Sequence, residues 1–317
     1  MKQRTKNEHY IPQSFIERFY ANYTKKEHHI QKGMVSCYRF DADNWFTINS
    51  EGICSELYLY ETAYYSKYVK DILEQQGRQA EAAFNYFENK FCTIEGPSAS
   101  LFNDLLSKLK ISAVGDIILS NRKIRKLTKY MVLQLLRLPQ TLPLIAVSFL
   151  EVKCDQDNKI YKINDDIIYM LIHESLTCLT EDHSSLINTM TNQICANYKI
   201  TVARASNNRS FFTSNFPVLF IPHDNNIQPL NLFEDCDILF VISPQYCLLF
   251  SNKKKHNTNF GHKQLMQATS SFYDLYEQAF LSYGLPNADL IFSDKLDSHF
   301  IAQIRSIYKE LHNNPRP

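Results

Sequence analysis

Asp237-Ile-Leu-Phe-Val-Ile242 and Tyr246-Cys-Leu-Leu-Phe250 are two apolar runs on either side of the turn sequence Ser243-Pro244-Gln245. Short apolar runs that flank a turn sequence are typical of a β-hairpin. A similar arrangement occurs earlier, where residues 198–203 and 211–213 flank Ser206-Asn-Asn-Arg209. These two patterns predict two hairpins between residues 198 and 251.

Helical spacing of apolar residues dominates the chain before this region. The spacing covers, among other stretches, residues 98–112, 116–138 and about 164–180. Pro139 ends the second of these stretches because proline cannot continue a helix. The section 61–196 is therefore predicted to be mostly helical.

Further strands are predicted towards both ends of the chain. Residues 35–48 alternate enough to predict two short strands, and residues 289–292 predict another. We therefore predict an α+β fold, with a mixed sheet of short strands from the N-terminal part and from residues 198–292 around a central helical section. No long Pro/Gly/Ser-rich linker interrupts the chain, so residues 1–317 are predicted to form a single compact domain.

The composition excludes several classes of protein. The chain has 317 residues with 34 Lys and Arg against 33 Asp and Glu, so it is not uniformly cationic. It has only seven glycines and no Gly-x-Gly pair, which excludes the glycine-rich loops that bind dinucleotides. None of the eight cysteines forms a Cys-x-x-Cys pair, and no metal-ligand motif is present.

Location follows from the same sequence features. The first residues contain no apolar signal region, and no apolar stretch is long enough to cross a membrane. We expect a cytoplasmic protein with reduced thiols, and its richness in Lys, Asn, Ile and Tyr suggests a bacterial source. Nothing in the sequence identifies a cofactor.

His9-Tyr-Ile-Pro-Gln13 is the first of three polar segments that could form a site. Histidine is the side chain most easily poised for proton transfer near neutral pH, and Pro12 suits the first turn of a helix that would fix its position. The alternative is a histidine bonded to backbone near the start of that helix.

Leu133-Gln134-Leu-Leu-Arg137-Leu-Pro139 is the second segment. Gln134 and Arg137 are three residues apart, so they share one side of the predicted helix at the margin of its apolar stripe. Arg137 either ties down nearby backbone or presents its guanidinium to a carboxylate or phosphate.

Phe212-Thr213-Ser214-Asn215-Phe-Pro217 is the third segment. Small polar residues at the end of a strand line sites, but they also make turns through side-chain bonds to backbone. The residue types leave both interpretations open.

A basic stretch occupies residues 121–137, which contain no acid and sum to +6. Such a helix face suits a phosphate backbone. The alternative is a solvated face neutralised by acids elsewhere, such as residues 151–182, which sum to −5. Lys253-Lys-Lys-His256 and Lys263 add a second basic patch. The predicted nucleic-acid-binding residues are Arg122, Lys123, Arg125, Lys126 and Lys129.

The three polar segments together resemble the domain-of-unknown-function 4238 family, DUF4238. They are similar to its His-Tyr-x-Pro-Gln start, its Gln-x-x-Arg-x-Pro helix end and its Thr-Ser-Asp-x-Pro strand end, and the resemblance spans residues 9 to 290. One position departs from the family pattern, because Asn215 stands where the family usually has Asp. The resemblance implies that these polar groups converge on one pocket, and it supplies no reaction.

Two functional hypotheses follow from these residues. The first is an enzyme that acts on nucleic acid or nucleotides, a nuclease-like effector of a prokaryotic defence or toxin system. The second is a non-catalytic binding module for a small anion or a protein partner. In the enzyme, the catalytic residues would be His9, Arg137 and Asn215, and the substrate-binding residues Gln13, Gln134, Thr213 and Ser214. A purely structural network of His9, Gln134 and Arg137 is a third interpretation, compatible with either.

Overall fold

A computed structural model provides the fold, and its helices and sheets confirm the α+β class. The structure describes residues 7–19, 34–57, 71, 74, 86–141, 186–206, 208–223, 235–254, 262–293 and 296–313. The predicted helix at about 164–180 and the acidic segment 151–182 lie outside these ranges. The single-domain organisation stays a prediction.

The larger sheet has five strands in the order β10-β5-β9-β8-β7. Its pairs are antiparallel except for β10, which runs parallel to β5. The predicted hairpin at 237–250 is confirmed as β8 and β9, and both strands are buried along their whole length, as expected of a sheet covered on both faces. The strands are β5 Tyr198–Arg204, β7 Val218–Pro222, β8 Cys236–Ser243, β9 Tyr246–Asn252 and β10 Leu265–Gln267.

The other predicted hairpin, between residues 198–203 and 211–213, is wrong. Strand β5 pairs with β9 and β10 instead, and the chain after it runs along the β8–β9 turn, where the Phe211 amide donates to the Pro244 carbonyl at 2.8 Å. Phe211 is fully buried and its ring stacks on Tyr273 at 5.2 Å. Aromatic packing therefore overrides the local turn signal.

The second sheet has four strands in the order β3-β2-β11-β6, all antiparallel. It joins N-terminal strands to two strands from residues 198–292, as predicted, but the single predicted sheet is divided, because the other strands of 198–292 form the five-stranded sheet. A separate two-stranded ladder pairs β1 with β4. The bounds are β1 Asn7–His9, β2 Met34–Arg39, β3 Asn44–Asn49, β4 Ser55–Leu57, β6 Thr213–Ser214 and β11 Leu290–Phe292.

The described helices cover or flank these sheets. They are α1 Gln13–Ile16 with a 3-10 turn at Glu17–Phe19, α2 Tyr86–Ile111, α3 Asn121–Leu136, α4 Leu186–Asn197, α5 Ser270–Ala279 with a π-helical extension at Phe280–Gly284, and α6 Ser298–Asn313. Within the described ranges, no helix combines the length and apolar character needed to cross a membrane.

Two helix boundaries differ from the sequence-based prediction. Helix α2 does not begin at 98 but runs through Pro97, which lies on its exposed side. Helix α3 does not begin at 116, because Ile117 forms a β-bridge with Gln264, and the Ser120 hydroxyl then caps the helix by accepting from the Lys123 amide at 3.3 Å.

Aromatic packing holds the N-terminal segment against α2, α3 and β8. The Phe15 ring stacks on Phe240 of β8 at 5.5 Å. Tyr130 of α3 lies 5.0 Å from the Phe102 ring of α2 and 6.2 Å from Phe240. The N-terminal segment is thereby placed beside the C-terminal half of α3, where the second polar segment lies.

Candidate functional site

Arg137 follows directly on the last residue of α3, and its side chain is only 2% exposed. Its Nε donates to the backbone carbonyl of Tyr10 at 2.5 Å, and its Nη1 donates to the Glu95 carboxylate of α2. The guanidinium carbon also lies 5.5 Å from the centroid of the Phe91 ring. One side chain therefore connects the N-terminal segment, α2 and the end of α3.

The charge of Arg137 is compensated inside the protein. A buried ion without a partner is strongly unfavourable, and Glu95 supplies the opposite charge at the place where α2 passes the helix end. The contacts combine the two interpretations open for Arg137, because it ties down the Tyr10 backbone and also presents its guanidinium to a carboxylate, that of Glu95. Arg137 is also removed from the basic face of α3, which keeps five cations.

His9 lies next to this ion pair. Its Nε2 donates to the backbone carbonyl of Glu51 at 3.2 Å, which leaves Nδ1 to act as an acceptor. Burial lowers the pKa of His9, the bond to Glu51 raises it, Arg137 lowers it, and Glu95 and Glu51 raise it. His9 is thus a half-buried imidazole that favours the neutral form, which can accept a proton.

Asn215 belongs to a different hydrogen-bond network. Its Oδ1 accepts from the Asp289 amide at 2.9 Å and from the Leu290 amide at 3.4 Å, and its Nδ2 donates to the Asp289 carboxylate at 3.2 Å. These bonds fix the end of β6 on β11. An aspartate at this position would face the Asp289 carboxylate, so an asparagine fits this chain.

Thr213 and Ser214 are also built into this strand end. The Ser214 hydroxyl donates to the Phe216 carbonyl at 2.8 Å and accepts from the Phe216 amide at 3.1 Å, while Thr213 pairs with Phe292 in the ladder. Among the described residues, no hydrogen bond joins this turn to His9 or Arg137. The structure therefore brings His9 and Arg137 together, whereas Asn215, Thr213 and Ser214 belong to a turn with its own hydrogen bonds.

Gln134 is completely buried, whereas Gln13 lies partly buried at the first position of α1. Within the described part of the chain, neither the Oε1 nor the Nε2 of Gln134 has a hydrogen-bond partner. The same holds for the Tyr130 hydroxyl, one turn earlier on α3, and for the Nη1 of Arg18. Leaving each such group unpaired costs about 1–3 kcal/mol, so their occurrence in one place calls for an explanation.

Arg18 and Tyr130 were not predicted as site residues. The only signal in the sequence is an arginine inside the apolar pattern of Phe15, Ile16 and Phe19. Long charged side chains at such positions normally reach solvent along their aliphatic part, so the signal is weak.

The basic face of α3 lies on the outside of the protein. Arg122, Arg125 and Lys126 are exposed, and Lys123 and Lys129 are partly buried. The Arg125 guanidinium donates to the side-chain carbonyl of Asn192 on α4 at 2.6 Å. Burial, and then the nearby Arg125, lowers the pKa of Lys129. Within the described ranges, none of these five cations forms an ion pair with an acid.

Lys253 of the second basic patch also contacts α4, whereas Lys255 and His256 lie outside the described residues. The Lys253 ammonium donates to the Ala196 carbonyl at the C-terminal end of α4, at 2.6 Å. Burial raises the pKa of the Cys195 thiol, while the Thr128 side chain and then the charges of Arg125 and Lys253 lower it, so both cations lie near this thiol of α4. The two patches therefore flank the same helix.

Further cations surround His262 at the edge of this surface. Burial lowers the pKa of His262, and the charges of Lys263, Lys253 and Lys199 lower it further. Helix α4 itself has no charged residue between Leu186 and Asn197. The described parts of α3, α4, β5 and the segments after β9 and before β10 thus form one positively charged surface.

No cluster of three or more His, Cys, Asp or Glu side chains that could hold a metal occurs in the described residues.

A family model of proteins of unknown function, DUF4238, matches residues 7–307, nearly the whole chain. The chain therefore belongs to this family, as the polar motifs indicated. No curated protein and no solved structure gives a match to the chain.

The buried ion pair makes a first prediction. We expect Arg137→Gln to lower the free energy of unfolding by about 3 kcal/mol, because Glu95 loses its partner and the Tyr10 carbonyl loses a charged donor. Denaturant unfolding followed by circular dichroism measures this change. Arg39→Gln is the control, since Arg39 and Asp41 form an ion pair at the surface with side chains 50% and 55% exposed, and we expect no measurable loss there. Equal stability of both variants would contradict the structural role of Arg137.

The Asn215 network makes a second prediction. We expect Asn215→Asp to destabilise the protein by about 1–3 kcal/mol at pH 7, because two carboxylates would face each other. The new carboxyl would have its pKa raised in the folded state, so the penalty is absent below about pH 4 and grows as the pH rises above it.

The control for this variant combines Asn215→Asp with Asp289→Asn. The exchange restores one amide and one carboxylate, so most of the pH-dependent penalty should disappear in thermal unfolding at pH 4 and pH 7. A penalty that is the same at both pH values would show that shape, and not charge, sets the preference at this position.

Proposed function

We propose that this member of the DUF4238 family binds nucleic acid through the positively charged surface on α3 and α4, here named the basic surface. It consists of Arg122, Lys123, Arg125, Lys126 and Lys129 on α3, together with Lys199, Lys253, Lys254 and Lys263. The observation that carries the proposal is that two basic segments more than a hundred residues apart in sequence flank one uncharged helix.

The chemistry of this surface suits a phosphate backbone. Cations that lack ion-pair partners among the described residues are available to phosphates, and their binding releases counterions from nucleic acid. The exposed Asn192 and Gln193 of α4 lie between the cations and offer neutral hydrogen-bond donors to sugars and phosphates. Arg125 and Lys253 contact α4 at Asn192 and Ala196, one helical turn apart.

The proposal extends to the enzyme hypothesis through His9. A nuclease-like effector of a prokaryotic defence or toxin system, acting in the cytoplasm, would need a group that takes a proton from the attacking nucleophile. His9 suits this task because burial favours its neutral form and Nδ1 is an acceptor. Arg137 would position the Tyr10 carbonyl next to His9, while Glu95 occupies the guanidinium that a phosphate would require.

A non-catalytic binding module is the second candidate. The observation that favours it is that Asn215 has other hydrogen-bond partners than His9 and Arg137, so the three residues predicted to be catalytic do not form one hydrogen-bonded set within the described part of the chain. On this hypothesis the protein binds nucleic acid, a small anion or a protein partner without turnover.

Loss of two cations tests nucleic-acid binding. We expect Arg125→Gln combined with Lys126→Gln to weaken binding of a 20-nucleotide duplex or single strand on the order of ten-fold, and to reduce the slope of log K against log salt by about 1.8 for duplex DNA. Fluorescence anisotropy over a salt series gives both quantities.

The matched control removes the same charge elsewhere. Arg305→Gln combined with Lys309→Gln changes one arginine and one lysine on the exposed side of α6, outside the basic surface, and should leave the affinity and the slope near the wild-type values. If both double variants lose affinity equally, binding follows net charge and the basic surface is not the site.

Cleavage assays separate the two candidates. For an enzyme, wild-type protein should convert labelled DNA or RNA to shorter products, and His9→Ala should reduce the rate 10²-fold or more while the Kd stays unchanged. Binding without any product in the wild type would support the binding module, and equal cleavage by both proteins would exclude His9 as the acid or base.

A further inference from the structure

Three buried polar groups lie together between the N-terminal segment, α2 and α3. They are the Nη1 of Arg18, the hydroxyl of Tyr130 and the side-chain amide of Gln134, here named the buried polar cluster. Tyr130 and Gln134 are 1% and 0% exposed and lie one turn apart on the same face of α3. Among the described residues, none of the named atoms has a hydrogen-bond partner.

The Phe102 ring of α2 brings Arg18 and Tyr130 together. The Arg18 guanidinium carbon lies 3.8 Å from the ring centroid, and the Tyr130 ring lies 5.0 Å from it. Burial lowers the pKa of Arg18 and the Tyr130 hydroxyl raises it, which places the guanidinium beside that hydroxyl. The two groups thus interact, but the Arg18 Nη1 and the Tyr130 hydroxyl do not meet the geometry of a full hydrogen bond with any described residue.

Among the described residues, the cluster also carries a positive charge without a counterion. Arg137 lies one turn beyond Gln134, and its charge is compensated by Glu95 of α2. Arg18 has no acidic partner in the described part of the chain. Arg18 is partly exposed, so its side chain reaches from the surface into the cluster and indicates where a ligand would enter.

We propose that the buried polar cluster binds the phosphate group of a small molecule. Arg18 supplies the charge and one donor, and the Tyr130 hydroxyl and Gln134 Nε2 supply two more, which matches the three free oxygens of a phosphate monoester. A carboxylate offers only two oxygens. Gln134 Oε1 then accepts a hydrogen bond from a hydroxyl of the ligand or from a protonated phosphate oxygen.

This site is separate from the basic surface and does not depend on the proposed nucleic-acid binding. The basic surface uses exposed cations on the N-terminal half of α3, whereas the cluster lies on the buried face of its C-terminal half. A phosphate that binds at either place would stabilise the protein, so variants of both places are needed to assign the effect.

Thermal unfolding in the presence of inorganic phosphate tests the proposal. The wild-type melting temperature should rise and then follow the logarithm of the phosphate concentration, by roughly 3–6 °C at one hundred times the Kd. Sulfate at equal ionic strength should act similarly because it is also tetrahedral, and acetate should act much less. A general salt effect would instead be shared by all variants.

Two variants of Gln134 make the test specific. Gln134→Leu should abolish the response to phosphate, because the site loses its amide. Gln134→Glu should also abolish it and, unlike the leucine variant, should raise the melting temperature without phosphate, since the new carboxylate pairs with Arg18. The glutamate variant keeps the size of the side chain and remains informative if the leucine variant does not fold.

Two controls complete the experiment. Thr191→Val removes another buried hydroxyl without a partner in the described ranges, on α4 and not on α3, and should leave the phosphate response intact. Arg125→Gln combined with Lys126→Gln should also keep it. A response that survives in both Gln134 variants but disappears with the α3 surface cations would place the phosphate on the basic surface and overturn the proposal, as would no response in the wild type. If the wild type shows no response to phosphate, the proposed nucleic-acid binding is not affected.

Discussion

The buried guanidinium of Arg137 is the constraint on which this part of the structure depends. It donates to the Tyr10 carbonyl and to Glu95 while its own backbone amide still completes α3 by donating to Leu133. Because a charge in the interior needs an opposite charge and several hydrogen-bond acceptors, α2 and the N-terminal segment must both be in place before the end of α3 is stable. The segment from Gln134 to Pro139 is therefore explained first by structure. Arg137 also holds the N-terminal segment that contains His9 in position, through its bond to the Tyr10 carbonyl.

Gln134 and Arg137 lie in the same short segment but differ in the partners that the structure gives them. Arg137 has a compensated charge, whereas Gln134 has no hydrogen-bond partner in the described residues. Buried polar side chains with a purely structural role usually have hydrogen-bond partners within the protein. A buried polar group without such a partner therefore needs another explanation, such as a bound ligand. The contrast divides one short motif into a positioning residue and a candidate binding residue, which spacing alone could not do.

Local pattern predicted the parts of the fold in which sequence neighbours are also neighbours in space. The β8–β9 hairpin, the β2–β3 pair and the exposed basic face of α3 all follow from short-range periodicity. The hairpin predicted after β5 does not form, because Phe211 packs in an aromatic cluster and not in a strand beside β5. That cluster includes Tyr273, which is more than sixty residues away in sequence. The site was predicted only in part for the same reason. His9 and Arg137 were found by motif, but Arg18 meets Tyr130 only through the packing of three distant segments, and Asn215 is explained by Asp289.

The position of β11 has a consequence for how the chain reaches this fold. This strand of three residues lies between β2 and β6, so the four-stranded sheet is complete only when residues 290–292 have joined strands that end near residue 39 and begin at residue 213. Contacts so distant in sequence form slowly, because a long loop must close before they contribute. During synthesis, β2 therefore emerges long before β11. Until β11 is made, the edge of β2, which includes Val35 and Cys37, is unpaired, and such an edge can pair with another chain. A chain shortened before β11 would keep that edge permanently open.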